Sequence, residues 1–268
     1  MQWTQEAEDA VKKVPFFVRK KVRARVEKEA RLTGRNTVTL AVVKTARKKF
    51  LDNMSSEIKG YQVDACFGAG GCPNRTAESE NLLARLEKLL QSENLLDFLK
   101  ANVPGDLKYH HEFRVTISDC PNACSQPQIK DIGIIGASEP AITDQPCSMC
   151  GNCVEVCRDR AVQLDEDAEI PIVDGQLCMQ CGLCAKECPT GTIVDGKKGY
   201  RILLGGKLGR HPRLAEPLPG IYTEDEVLAI VKKCIGYYKA NSRNGTRFAE
   251  LYSGPCIPGR NQLNRQAG

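Results

Sequence analysis

Apolar residues recur at two periods along this chain, and the periods divide it into helical and extended stretches. Near the start, residues 4–13 form a short amphipathic stretch. Pro15 then marks a helix start, and Phe16, Val18, Val22 and Val26 follow at helical spacing as far as Leu32. Gly34 stops that helix and residues 39–53 begin another. Residues 77–102 predict a long helix with Leu82, Leu83, Leu86, Leu89 and Leu90 on one stripe, followed by a Pro104-Gly105 turn. Beyond it the period changes. Phe113, Val115 and Ile117 alternate as a strand running into Cys120, residues 132–135 read as a second strand, and residues 200–204 as a third, closed by Gly205-Gly206. The last long helix opens at Thr223, where Glu226 completes a capping box, and reaches about residue 240. The pattern predicts an α+β fold with a helical module at its N-terminus.

Composition bounds this picture. A chain of 268 residues with 41% apolar content buries a core, as one large domain or two to three small ones. No apolar run is long enough to span a membrane, and the first residues lack an apolar signal core. With fourteen cysteines, the expected home is a reducing cytoplasm. The net charge of +5 hides an asymmetry: residues 1–59 carry fifteen Lys/Arg against seven Asp/Glu, while residues 138–196 carry three against eleven. Stretches of opposite sign suggest docking surfaces, within the molecule or with partners, although a basic helical stretch is equally often a solvated face. Nucleic acid is a poor fit, because the basic residues are not interleaved with stacking aromatics.

The cysteines carry the chemistry. Twelve fall into four groups: Cys66/Cys72, Cys120/Cys124, Cys147/Cys150/Cys153/Cys157 and Cys178/Cys181/Cys184/Cys188. Twelve thiolates are the ligand set of three 4Fe-4S clusters, each of which takes four. The last two groups both read C-x2-C-x2-C-x3-C, the two-cluster ferredoxin spacing, in which the fourth cysteine of each run serves the other run's cluster. One set is then Cys147, Cys150, Cys153 and Cys188, and the other Cys178, Cys181, Cys184 and Cys157. A disulfide framework would need a secreted chain, and zinc knuckles usually have longer spacers. One departure is that Pro189 follows Cys188 as that run expects, whereas Arg158 follows Cys157. Cys234, mid-helix among Ile230, Val231 and Ile235, reads as a buried inert thiol; Cys256 is left unassigned.

The order C-x5-C, helix, strand, C-P-N-x-C, then DIGIIG resembles the 4Fe-4S half of the nitrite and sulfite reductase family. Downstream, GYRILLGGKLGRHPRL, TEDEVLAIVKKCIGYYK and NGTRFAEL resemble that family's continuation. The resemblance implies a cluster domain over residues 61–137 and 197–268, with a two-cluster ferredoxin inserted over residues 138–196, as in the dissimilatory type of sulfite reductase. It further implies sirohaem joined to the cubane through the last of the four cysteines, here Cys124, and reduction of a small inorganic anion, sulfite or nitrite, with electrons from a donor protein. Residues 1–60, through Trp3, Pro15-Phe16-Phe17-Val18-Arg19 and the 27–34 stretch, resemble the C-terminal helical domain of light-independent protochlorophyllide reductase.

Sirohaem and its substrate are anionic, so cations and amides near the motifs are candidate contacts: Arg75 and Asn122 for the cofactor, Arg114, Lys207 and Arg210 for cofactor carboxylates or substrate, with Asn74 beside the first pair. Thr116 stands where the family often has Arg or Lys, and Arg114 shares its face. His110, His111 and His211 are read as structural or surface residues. Full members of the family carry a ferredoxin-like half-domain ahead of the first pair, where this chain has the helical module. Two functions follow: a sulfite or nitrite reductase, or a sirohaem-free electron-transfer subunit that docks a second redox subunit on its basic module.

Overall fold

The computed structural model describes residues 1–254, and for residues 51–56 the backbone alone. Cys256 and the rest of the 255–268 stretch lie outside the described residues. The chain divides into two compact units, Met1–Ile58 with Gly105–His110, and Lys59–Pro104 with the chain from His111 onward.

In the first unit a short strand β1 (Gln2–Trp3) precedes helices α1 (Gln5–Lys12) and α2 (Phe16–Leu32); β2 (Thr37–Val38) pairs in parallel with β1, and α3 (Leu40–Ser56) follows. Thr4 caps α1 by accepting the Ala7 N–H. The core is small: Ala7, Val26, Ala30, Val38, Val42 and Ala46, with Trp3, Val22 and Val43 packed against it. Trp3 Nε1 donates to Glu27 at 2.9 Å, and the Arg23 guanidinium lies 4.2 Å from the Trp3 ring centre while pairing with Glu8. The apolar stripe differs from expectation at its start. Phe16 and Phe17 are 80% and 72% exposed, and the buried line of α2 runs through Val26 and Ala30, so the first turn after Pro15 lies outside the core.

The second unit is built on a five-stranded mixed sheet. β3 (Tyr61–Ala65) and β4 (Phe113–Ser118) pair in parallel, β4 pairs in parallel with β5 (Ile132–Ile142), and β5 runs antiparallel to β8 (Ile193–Leu204), which β9 (Glu216–Pro217) borders. Between β3 and β4 lie α4 (Glu80–Ser92) and α5 (Leu95–Asn102), where a single helix over 77–102 was expected. Asn94, in the left-handed region at φ 48°, breaks it, a conformation Asn tolerates better than most residues. Only Leu82, Leu86 and Leu90 of the predicted stripe are buried.

Helix α8 (Glu224–Asn241) opens with the predicted capping box at Thr223 and Glu226, and the short α9 (Phe248–Leu251) follows. Tyr238 of α8 packs against Phe98 and Phe113 with ring centres 5.2 and 5.5 Å apart, and Phe113 meets Phe248 at 5.4 Å. Arg85 of α4 pairs with Glu224 at 3.1 Å, and Lys239 with Glu93 at 2.8 Å. None of the described helices is long and apolar enough to cross a membrane.

The two strands expected over 132–135 and 200–204 are the first third of a much longer ladder, from Ile132 opposite Leu204 to Ile142 opposite Ile193, with one irregularity between Ser138 and Pro140. Residues 143–192 form a lobe at its far end. In that lobe α6 (Asn152–Val156) and α7 (Leu183–Glu187) flank the antiparallel pair β6 (Val162–Asp165) and β7 (Ile170–Val173). Its core is Cys153, Val162, Cys184 and Ile193, with Val156, Leu164, Val173 and Ala185 against them.

Candidate functional site

Parallel neighbours deliver the first four cysteines to one edge of the sheet. Cys66 follows β3 and Cys120 follows β4, and the Cys66 N–H continues the ladder to Ile117 O at 2.9 Å. A tight turn at Phe67–Gly70 brings Cys72 back, while Ala123 and Gln126, both at positive φ, curl the chain around Cys124. Burial pushes the Cys120 thiol up, and the thiols of Cys124, Cys72 and Cys66 bear on it, so the four form one electrostatic group. Cys120 is buried, Cys66 and Cys72 are half-buried, and Cys124 is exposed.

Asp119 organises this edge. Its N–H donates to Cys66 Sγ at 3.3 Å, its carbonyl accepts the N–H groups of Thr76 and Ala77, and its carboxylate accepts Arg75 Nε at 2.8 Å and the Ser79 hydroxyl. The surrounding backbone closes so tightly that a Cβ on Gly68 would lie 2.2 Å from Asp119 Oδ2, and one on Gly136 2.4 Å from Asp119 O. Arg75, a predicted cofactor contact, is therefore held by Asp119 and by Glu80.

The lobe repeats itself with an offset of 31 residues, from Cys147 to Cys178 and from Cys157 to Cys188. Met149 and Gln180 share a left-handed φ of 53° and 56°, and donate their N–H groups to Cys147 Sγ and Cys178 Sγ, each at 3.4 Å. Ala161 N–H reaches Cys157 Sγ at 3.2 Å and Ile193 N–H reaches Cys188 Sγ at 3.3 Å. The thiols gather in crossed sets. One space is lined by Cys147, Cys150, Cys153 and Cys188, and another by Cys178, Cys181, Cys184 and Cys157.

Burial pushes the thiols of Cys153 and Cys178 up, and that of Cys184 to about 11. Burial also raises Cys188, but the Ile193 N–H and the Thr190 hydroxyl outweigh it and hold that thiol below the ordinary range. Four thiolates packed into a low-dielectric space repel one another, and a cationic metal centre offsets that cost. Among the described residues no three His, Cys, Asp or Glu side chains stand close enough to share one metal ion. The donor set, all sulfur with backbone N–H groups aimed at it, fits an iron-sulfur cluster.

The second crossed set abuts the sheet edge. Thr76 Oγ1 donates to Cys181 O at 2.9 Å, Lys186 Nζ to Arg75 O at 2.9 Å, and Ser138 N to Gln180 O at 2.8 Å. A cleft of about 150 Å³ between them is lined by Asn74, Cys120 and Asn122 on one side and by Arg158, Met179 and Cys181 on the other. Arg158, where the ferredoxin run would have proline, thus faces the predicted Asn122.

The remaining predicted cations lie elsewhere. Arg114 is at the start of β4, the end away from Cys120, with its N–H on Asp131 and its Nε buried without an acceptor among the described residues. Lys207 pairs through its backbone with Arg213 just beyond the end of β8, at the level of the start of β4, and Arg210 and His211 are exposed between them. Cys234 is buried in α8, its thiol pushed up to about 12 by burial alone. Arg201 is a residue the sequence pattern did not single out. Its Nε is buried without an acceptor among the described residues, and burial lowers its pKa while the thiols of Cys178 and Cys181 pull it back.

Residues 59–253 match the family model described as the nitrite and sulphite reductase 4Fe-4S domain, and residues 3–47 match that of the proto-chlorophyllide reductase 57 kD subunit. The chain is 32% identical over 178 residues to the coenzyme F420-dependent sulfite reductase of Methanocaldococcus jannaschii, covering 65% of this chain and 25% of that protein. It is 31% identical over 105 residues to one subunit of the anaerobic sulfite reductase of Salmonella typhimurium, covering 39% of this chain and 26% of that one. Its first residues are 56% identical over 48 residues to one subunit of the light-independent protochlorophyllide reductase of Chlorobium limicola, covering 18% of this chain and 9% of that protein. The chain spans about a quarter of the length of the two sulfite reductase relatives. On the match over residues 59–253, which takes in all twelve clustered cysteines, the chain belongs to the nitrite and sulphite reductase 4Fe-4S family.

Proposed function

We propose that this chain is an iron-sulfur oxidoreductase of the sulfite or nitrite reductase type, working in a reducing cytoplasm. Cys66, Cys72, Cys120 and Cys124 would hold one 4Fe-4S cluster in the domain of residues 61–137 and 197–268. The sets Cys147, Cys150, Cys153, Cys188 and Cys178, Cys181, Cys184, Cys157 would hold two more in the inserted ferredoxin of residues 138–196. When bound, the clusters supply one-electron carriers and a sirohaem supplies an open iron for a small inorganic anion. The observation that carries this reading is the crossed gathering of the eight lobe cysteines beside the four at the sheet edge. Cys124 is the exposed thiol of its set, and on this reading it would be the cysteine that holds the sirohaem.

A second reading, a sirohaem-free relay that passes electrons to a partner, draws on the positions of the cations. Arg75 is engaged by Asp119 and Glu80, and Arg114, Lys207 and Arg210 stand toward the other end of the sheet from Cys120. Anaerobic purification with iron analysis and a visible spectrum separates the two. The reductase predicts about thirteen irons and iron-chlorin bands, the relay about twelve irons and none. Failure to develop those bands on anaerobic reconstitution with sirohaem would sink the reductase.

A further inference from the structure

Arg201 sits in β8 opposite Ile135 of β5, on the side of the strand away from Tyr200, Ile202 and Leu204, which are buried in the core. The Cys178–Cys181 loop is stitched to the same β5 strand through Ser138, which bridges Cys181 and donates to Gln180 O. The loop and β8 thus meet on the same strand, and the ionisable groups bearing on the Arg201 guanidinium are the thiols of Cys178 and Cys181. Its Nε is buried and meets no acceptor among the described residues. A half-buried cation whose Nε lacks an acceptor is stabilised by nearby negative charge, so this placement favours negative charge on the two sulfurs.

We propose that Arg201 is the counter-charge of the iron-sulfur centre held by Cys157, Cys178, Cys181 and Cys184, and that it raises that centre's reduction potential. The proposal rests on the cluster assignment made above. On reduction, a one-electron carrier protein is oxidised and the centre beside Arg201 gains one negative charge; no bond breaks and no proton has to move. A fixed positive charge in a low-dielectric setting stabilises the more negative state more, and net charge and burial are established levers on cluster potential. Cys181 is also the ligand tied through Thr76 to Asp119, the neighbour of Cys120. Arg201 therefore favours residence of the electron on the set nearest the sheet-edge cysteines.

The test is an anaerobic redox titration of the cluster-loaded full chain followed by electron paramagnetic resonance, comparing wild type with Arg201→Met, Arg201→Gln and Arg201→Lys. In both neutral variants one midpoint should fall while the others hold, by about tenfold in the oxidised-to-reduced ratio at fixed potential, about 59 mV for one electron. Arg201→Lys should stay near wild type. Midpoints unmoved in the neutral variants, or moved as far by Lys as by Met, overturn the role of Arg201. A wild-type protein without cubane signals instead overturns the cluster assignment itself.

Discussion

Asp119 shows how much of the candidate site hangs on one side chain. Its carboxylate is 3% exposed and takes both the Arg75 guanidinium and the Ser79 hydroxyl, while its main chain serves Cys66 Sγ and the Thr76 and Ala77 N–H groups. Replacing it with Asn keeps the shape and the main-chain bonds but leaves Arg75 with the exposed Glu80 as its carboxylate partner, beside the Ala77 carbonyl. Asp119→Asn should cost about 2 kcal/mol, the scale of a broken charge-assisted bond in a partly buried pair. In a thermal melt of the cluster-free protein that is a drop of about 4–8 °C for a domain of this size. A loss below about 0.5 kcal/mol would show that Arg75 is anchored by Glu80 and that Asp119 acts through its backbone alone.

At the scale of elements, the crossed thiol sets make a prediction that an uncrossed arrangement reverses. Cys157 belongs in sequence to the first run but lines the space of the second, and Cys188 does the converse. Cys157→Ser should deplete the centre of Cys178, Cys181 and Cys184, with loss of up to about four irons, and abolish the midpoint that responds to Arg201. Cys188→Ser should leave that midpoint in place. The opposite pattern in the two titrations would show that each run serves its own centre. The crossed grouping of the lobe thiols is legible in the sequence because ligand spacing is a local code, repeated once. The elements that carry them are less so. The long β5–β8 ladder contains Gly136, Pro140, Gly196 and Gly199 and the pair Lys197-Lys198, which erase the alternation, and its pairing partners are far apart in sequence. β3 has only Tyr61 fully buried and leaves no period at all. Arg201 reads as one more charge until the register of β8 against β5, and the Ser138 stitch to the cysteine loop, place it.

For the whole molecule, the charge asymmetry seen in the sequence becomes a smaller and more specific surface once the structure assigns the charges. Within the first unit Arg23 is spent on Glu8 and Trp3, Lys12 on Asp9 and Lys49 on Glu29. Lys20 and Lys21 are exposed and enter none of the ion pairs among the described residues, and they follow Phe16 and Phe17, which are 80% and 72% exposed with rings edge to face at 5.7 Å. Two bare aromatics beside two free ammonium groups suit a partner with an apolar pocket rimmed by carboxylates, the profile of an acidic redox protein. If the helical module is where a second redox subunit docks, the double substitution Lys20→Glu and Lys21→Glu should weaken association by tenfold or more, about 1.4 kcal/mol, and flatten its dependence on salt. Phe16→Ser should weaken it as well while leaving the salt dependence intact, because it removes apolar contact and no charge. Titration calorimetry against an acidic redox protein reads both quantities. Affinity and salt slope unchanged in the charge-reversed protein would move the docking site off this module, and would leave its basic residues as a solvated helical face.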